Sequence, residues 1–375
     1  MKRLMMAALF VAMGAAPALA RDLRVVTDIA PVQSLVARVM QGAGTPGMIL
    51  PIGASPHDFA LRPGTAKALQ GADLVVWMGP ALWPSLKAAM ETLTHSGARL
   101  DLSRTEGATV LAFRDESLFG AHGDDDGHDG RKAHADHGEH DDHGEHDDHD
   151  DHGTGHEAEH EAEHGSDHEA EHEAEHGSDH EAEHEAEHGS DHEADHGGHG
   201  HAHAPGGLDP HMWLDPQNAA LWLGVIAERL AAADPENAAL YRDNARAAQA
   251  ELGALSDEVA QLLAPLRARR FVVYHDAYHY FENRFGLSAS AAILVSDASA
   301  ASAARLRKVK ERVARQGVSC VFTEPQFDPR LLQAVAPGAA TAELDPLGVA
   351  LTPGPGLYPA LIRQLAGAMA TCLGD

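Results

Sequence analysis

Leu74-Val-Val-Trp-Met78 is a run of five apolar residues that ends at Gly79-Pro80, a pair that interrupts regular structure. A run of this length without polar alternation is typical of a strand that is buried on both faces, as in a parallel sheet. Similar short apolar runs occur at 24–28, 48–51, 271–274 and 318–322. Because helical patterns separate these runs, the sequence predicts an α/β fold with two groups of parallel strands.

A long helix is predicted between the two groups of strands. Asp234 is suited to the N-cap and Pro235 to the first helical position. Apolar residues then continue at helical spacing to about Ala264. Such a helix would be about 45 Å long, which is more than one small lobe needs for packing. We therefore predict that it joins two lobes.

Residues 122–203 differ in composition from the rest of the chain. They contain 23 of the 28 histidines, 30 Asp and Glu, two basic residues and no Val, Ile, Leu, Met, Phe, Tyr or Trp. A segment of this kind cannot bury a core, so we predict a disordered loop over 120–207. Imidazole and carboxylate groups at this density bind transition metals weakly and at many points.

The acidity of the chain belongs almost entirely to this tract. The tract carries −28 of the formal net charge of −29, which leaves 26 basic and 27 acidic residues elsewhere. The rest of the chain therefore has no basic surface of the kind that nucleic-acid binding requires.

The tract also contains a pattern that resembles a protease signature. His156-Glu-Ala-Glu-His160 and six other windows match H-E-x-x-H, largely because a twelve-residue segment occurs three times. In zinc proteases that motif lies on a packed helix that fixes both histidines. Since no apolar face exists here to pack such a helix, we interpret the pattern as a result of composition.

The first 20 residues are predicted to be a secretory signal peptide. Lys2 and Arg3 precede an apolar stretch, and Ala18-Leu19-Ala20 forms a cleavage site. The alternative is a membrane helix, but Gly14 and Pro17 interrupt a stretch that is already short for spanning a bilayer. No cysteine follows the cleavage site, so no lipid anchor is expected there.

The remaining chain is divided as follows. We predict a first lobe over 21–234, interrupted by the loop at 120–207, then a linking helix over 235–265 and a second lobe over 266–375. Without signal peptide and tract about 270 residues remain, enough for two lobes. In an oxidising compartment Cys320 and Cys372 could pair, or they could remain two buried free thiols.

Three of the five histidines outside the tract are candidate metal ligands. His57 follows the second predicted strand, His211 lies directly after the tract, and His275 ends the strand at 271–274. In open α/β sheets ligands bind beyond the carboxyl ends of strands, where His57 and His275 fall. Three imidazoles with a carboxylate or water form a common tetrahedral zinc site.

The sequence segments around these histidines, and several others, resemble those of a known family. The matching segments are Gly53-Ala-Ser-Pro-His57-Asp-Phe-Ala-Leu-Arg-Pro63, Leu74-Val-Val-Trp-Met-Gly-Pro80, Asp209-Pro-His211-Met-Trp-Leu-Asp-Pro216, His275-Asp-Ala-Tyr278, Val321-Phe-Thr-Glu-Pro-Gln-Phe327 and Leu344-Asp-Pro-Leu-Gly348. They resemble, in order and through nearly all the mature chain, the periplasmic zinc-binding proteins of ABC importers of the ZnuA type. The resemblance implies two Rossmann-like lobes joined by a rigid helix, one metal ion in the cleft between the lobes, and a His-rich loop where the tract lies.

The resemblance also assigns roles to residues. It implies His57 and His211 as ligands from the first lobe and His275 from the second, with Asp345 completing or flanking the site. Manganese-binding relatives have Glu at the position of His275, so imidazole there favours zinc. The cysteine pair is similar to that of zinc-binding members, which favours a Cys320–Cys372 disulfide.

Three further residues have less defined roles. Glu324 resembles a family feature near the cleft and is not expected to be a ligand. His279 lies where relatives often have Gly, and on a helix it could share a face with His275, as an extra ligand or as a partly exposed side chain. His95 is expected at the surface.

We therefore predict a monomeric periplasmic receptor, not an enzyme, that captures Zn²⁺ and delivers it to a membrane permease. The tract would collect zinc at low affinity near the cleft. Two alternatives remain at this level. One is a secreted metal-buffering protein that works without a transporter. The other is a zinc hydrolase, for which the sequence offers no convincing general base outside the repeats.

Overall fold

The computed structural model describes residues 23–57, 60–95, 98–114, 207–294, 302–327 and 330–374. The predicted signal peptide and the His-rich tract lie outside these residues. Among the described helices, none is both long enough and apolar enough to cross a membrane.

The first lobe contains a sheet of four parallel strands. The strands are β1 (Val25–Thr27), β2 (Gly47–Met48), β3 (Leu74–Trp77) and β4 (Arg99–Asp101), in the order β2-β1-β3-β4. Helices α1 (Ala30–Val39), α2 (Pro63–Gly71) and α3 (Pro84–Leu93) connect them. All residues of β1 and β3 are buried, as expected for central strands covered on both faces.

Two helices lead from this lobe to the next. They are α4 (Pro216–Ala233) and α5 (Ala238–Leu263). A 3₁₀ turn at Pro235–Asn237 precedes α5, with Asp234 as its N-cap, so the long helix begins slightly later than predicted. Its 26 residues give a length of about 39 Å.

The second lobe repeats the design of the first. Its strands are β5 (Phe271–His275), β6 (Ala291–Leu294), β7 (Cys320–Thr323) and β8 (Ala340–Glu343), parallel and in the order β6-β5-β7-β8. Its helices are α6 (His279–Phe285), α7 (Ala303–Gln316), α8 (Arg330–Val335) and α9 (Leu357–Gly374). The predicted α/β architecture of two parallel sheets and a long helix is confirmed.

One continuous hydrophobic core joins the lobes. It runs from the first sheet through the buried face of α5 to the inner face of the second sheet and α9. The long helix is therefore packed over its length, with Tyr241, Ala245, Ala248, Leu252 and Leu255 among its buried residues. A second, smaller core covers the outer face of the second sheet.

The last helix, α9, packs against the first helix, α1. α9 contacts α1, α5 and β8, and the Tyr358 backbone N–H donates to Ser34 Oγ at 2.9 Å. A disulfide between Cys320 and Cys372 joins β7 to α9, with Cα atoms 5.9 Å apart.

Candidate metal site between the lobes

His211 is held by a carboxylate two residues before it. Asp209 is almost fully buried, and its Oδ1 accepts from the His211 backbone N–H at 3.0 Å and lies 2.8 Å from ring Nδ1. The proton of the neutral ring is thus placed on Nδ1, which leaves Nε2 as a metal-binding lone pair. Burial opposes ionisation of Asp209, but the hydrogen bonds that it accepts from His211 outweigh this effect, so the pKa of this carboxyl is lowered.

His275 has the same arrangement with a carboxylate from another strand. It is the last residue of β5, and the pairing of Val273 with Phe322 continues so that His275 lies opposite Glu324. Glu324 Oε1 is 2.6 Å from His275 Nδ1, and Gln326 Nε2 donates to Glu324 Oε2 at 3.1 Å. His275 Nε2 is therefore also left as a lone pair.

The Nε2 atoms of the two rings face each other. His275 Nε2 and His211 Nε2 are 3.4 Å apart, and both side chains are almost fully buried. Two neutral lone pairs at this distance repel unless a proton or a cation lies between them. Two ligands of a tetrahedral zinc ion, with Zn–N bonds of about 2.0–2.1 Å, are separated by about 3.3 Å.

His57 lies beside this pair on the first lobe. Its ring centroid is 5.6 Å from that of His211, and its backbone N–H donates to Ser55 Oγ at 3.1 Å in the turn after β2. The residue is half-buried, so it lies on the more exposed side of the group. The structure thus brings together the three histidines that the sequence predicted.

Asp345 is held differently. Its Oδ1 accepts from the backbone N–H groups of Leu347 and Gly348 at 3.0 and 2.9 Å, and Oδ2 accepts from that of Val349. These hydrogen bonds hold the carboxylate within its own loop. Within the described residues, no three His, Cys, Asp or Glu side chains form a closed metal cage as they stand.

Aromatic side chains cover the histidines. The Trp213 ring centroid is 5.3 Å from that of His211, and the Phe327 ring centroid is 6.2 Å from that of His275. Behind them, burial raises the pKa of the Tyr278 hydroxyl well above its usual value, and the negative charges of Glu324 and Asp345 add to the effect. His211 and His275 are therefore buried beside carboxylates, whose negative charge favours a cation there.

Comparison with known proteins identifies the family. The model of the family described as zinc-uptake complex component A, periplasmic (ZnuA), matches residues 25–372. The chain belongs to the ZnuA family. High-affinity zinc uptake system proteins ZnuA are similar to it throughout. That of Paracoccus denitrificans is 42% identical over 366 residues, covering 96% of this chain and 94% of the relative.

Another relative and two solved structures agree with this result. The Brucella abortus ZnuA is 40% identical over 351 residues, covering 93% of this chain and 91% of its own. A crystal structure of ZnuA superposes with a TM-score of 0.62 at 19% identity, over 94% of this chain and 99% of the other. The periplasmic zinc-binding protein TroA of Treponema pallidum gives 0.64 at 18%, with the same coverage. Because these sequence identities are low, the two solved structures show only that the fold is shared.

The sequence placed Glu324 near the cleft, but it did not predict that Asp209 and Glu324 hold the rings of His211 and His275. Asp209 was visible in the Asp-Pro-His segment, and its spacing of two residues was the available signal. Glu324 is 49 residues from His275, and only strand pairing brings them together.

The other two histidines outside the tract are His279 and His95. His275 ends β5 and His279 begins α6, so the two do not share a helix face as the sequence had suggested. His279 instead faces the other oxygen of Asp209, with Nδ1 and Oδ2 3.6 Å apart. His95 is exposed after α3, as expected.

Proposed function

We propose that this chain is a periplasmic receptor that binds Zn²⁺ with high affinity and delivers it to an ABC permease. Membership of the ZnuA family supports this function, and the relatives named above are zinc uptake proteins. In this proposal His57, His211 and His275 are the ligands, and Asp345 or a water molecule completes a tetrahedral coordination.

The observation that carries the proposal is the pair of opposed nitrogens. In each ring a buried carboxylate lies on the Nδ1 side, and the separation of the two Nε2 atoms, 3.4 Å, suits a tetrahedral zinc ion. Carboxylate–histidine pairs of this kind orient metal-binding rings and make them better donors. Neutral nitrogen ligands also favour zinc over manganese or magnesium.

The ligands come from both lobes, which suits a carrier more than a catalyst. His57 and His211 belong to the first lobe and His275 to the second. A zinc enzyme requires an open position and a general base, whereas a carrier requires ligands that can be released together. The zinc ion is therefore cargo in this proposal.

The His-rich tract is proposed to raise the local zinc concentration near the cleft. Its 23 histidines would bind zinc weakly at many points. The described chain resumes at Gly207, and His211 follows after four residues. Ions released from the tract would therefore start close to the ligands.

Metal analysis of purified variants tests the tight site. We expect wild-type protein to retain one ion in competition with a strong chelator, and His275→Ala or His211→Ala to lose it. His95→Ala is the matched control because His95 is exposed after α3. Tight binding that survives in His275→Ala would instead favour a buffering protein in which the tract is the functional part.

Deletion of residues 122–203 tests the tract separately. We expect the deletion to remove the weakly bound zinc, to preserve the tight ion, and to reduce uptake when zinc is scarce. A version in which the tract histidines are changed to Asn keeps the acidic charge and isolates the imidazole contribution. Unchanged stoichiometry and uptake in both variants would refute a collecting role.

A further inference from the structure

His279 repeats, near the surface, the arrangement that orients the two buried histidines. Asp209 has two carboxylate oxygens, of which Oδ1 holds His211. Oδ2 faces His279 Nδ1 at 3.6 Å, and within the described residues neither atom has a hydrogen-bond partner. One buried carboxylate thus lies between two imidazoles.

The exposure of His279 is on the opposite side of its ring. The Nδ1 atom is buried, although the side chain as a whole is 23% exposed. The accessible part of the ring is therefore the outer edge, which carries Nε2. With the proton drawn to Nδ1 by the carboxylate, Nε2 is a lone pair that solvent can reach.

Metal binding at His279 Nε2 would also strengthen the contact between His279 Nδ1 and Asp209 Oδ2. A bound cation makes the opposite N–H of an imidazole a stronger donor, and metal-bound histidines usually donate that N–H to a carboxylate. Among the residues that the structure describes, the buried Asp209 Oδ2 has no hydrogen-bond partner, and it lies 3.6 Å from this nitrogen. The 3.6 Å contact would then shorten to a hydrogen bond.

His279 lies close to the two described segments that flank the tract in the sequence. Asp209 belongs to a short two-stranded stem in which the Phe113 N–H donates to the Gly207 carbonyl at 2.9 Å and the Asp209 N–H donates to the Leu111 carbonyl at 3.0 Å. The tract leaves and rejoins the described chain at this stem. His279 is therefore beside this stem and connected to His211 through Asp209.

We propose that His279 is a zinc-docking residue at the rim of the cleft, which binds an arriving ion briefly through Nε2 before it passes to His211 and His275. This inference rests on the proposed function of those residues. Because a single imidazole with water ligands binds zinc weakly, His279 would affect the rates of loading and release and not the final affinity.

Two variants separate docking from simple support of Asp209. In His279→Asn the amide nitrogen takes the place of Nδ1 as a donor to Asp209, while the Nε2 lone pair is lost. In His279→Ala both functions are lost. Exposed His95→Asn is the control for removal of a histidine elsewhere.

The test is stopped-flow fluorescence of the full chain, with Trp213 beside His211 as the reporter and less than one equivalent of zinc. For His279→Asn we expect association and dissociation rates both reduced several-fold, with an unchanged equilibrium constant. His95→Asn should match wild type. Wild-type rates in His279→Asn, with a defect only in His279→Ala, would overturn the proposal and leave His279 as a support for Asp209.

His211→Ala distinguishes this inference from the proposed function. If that variant keeps the tight fluorescence change, the proposed function itself fails. If it loses the change and His279→Asn still loads at the wild-type rate, only the docking role of His279 fails.

Discussion

The carboxylate of Glu324 determines which nitrogen His275 presents to the cleft. It lies 2.6 Å from Nδ1 and is itself 2% exposed. A metal ligand held in this way needs no reorientation when the ion arrives. The affinity of the site should therefore depend on a residue that is not proposed to touch the metal.

Glu324→Gln should weaken zinc binding without unfolding the protein. The neutral amide is a poorer acceptor and can present its NH₂ group to Nδ1, so we expect about ten- to hundredfold lower affinity. Chelator competition measures the effect, and Gln326→Ala, which removes only the partner of Oε2, is the control. Equal affinities for Glu324→Gln and wild type would contradict an orienting role.

Asp28 gives the folded state a pH dependence of its own. Its carboxylate accepts from the Ile29 and Met78 backbone N–H groups at 2.8 and 2.7 Å, and burial raises its pKa from 3.8 to about 7. Because the pKa is higher in the folded state, the stabilising contribution is complete below the unfolded pKa. It is lost as pH rises through about 7.

Asp28→Asn tests this dependence because the amide cannot ionise. Urea unfolding of both proteins at several pH values should show wild type losing stability relative to the variant between about pH 4 and pH 8. A stability difference that does not vary over this range would contradict ionisation of Asp28 in the folded protein.

The sequence identified the three candidate ligand histidines but not the contacts around them. His57, His211 and His275 were identified by their neighbours and by family resemblance. The role of Glu324 depends on the register of β5 against β7, which no local pattern contains. The contact between Asp209 and His279 likewise depends on how the stem packs against α6.

The stem of the tract is attached to α6 by a buried ion cluster. Arg114 donates to Asp276 and, through Nη1 at 2.7 Å, to Glu282 Oε2, and the Leu111 N–H donates to Tyr280 Oη at 2.8 Å. The side chains of Asp276 and Glu282 are almost fully buried. Arg114, the last described residue before the tract, is thereby held at Asp276 and Glu282.

Arg114→Gln should be strongly destabilising. It leaves two buried carboxylates without their cation, and we expect the free energy of unfolding to fall by about 3 kcal/mol. Urea denaturation measures this loss. Arg242→Gln, which breaks an exposed pair with Glu228, is the matched control and should change stability little. Similar losses in both variants would show that burial of the cluster is unimportant.

Strands with continuous apolar runs were predictable, and those without were not. β3 and β5 are buried throughout and were found from composition alone. β8 is an edge strand whose residues are mostly exposed, so its sequence Ala-Thr-Ala-Glu has no apolar run. β6 begins with two alanines, which favour helix as much as strand.

Within the described residues, the two lobes share one main hydrophobic core. Residues of both sheets, α5 and α9 belong to the same hydrophobic cluster. Wide separation of the lobes would expose that cluster, so zinc exchange is expected to involve local movement near His57 and not a large opening.

Loss of the disulfide should therefore affect the stability of the entire protein. The bond closes a loop of 52 residues, which corresponds to about 4 kcal/mol in the loop-entropy model. Cys320→Ser/Cys372→Ser should unfold in one transition at lower urea concentration, while zinc affinity in native buffer stays near wild type. A separate early transition of the second lobe would contradict a shared core.

The position of α9 has a consequence for biogenesis. Ser34, near the beginning of the described chain, binds Tyr358, 324 residues later, and α1 packs against the final helix. The first lobe is thus left with an uncovered apolar surface until the last part of the chain emerges. We therefore expect the first lobe to complete its packing only when the last helix is available, late in folding.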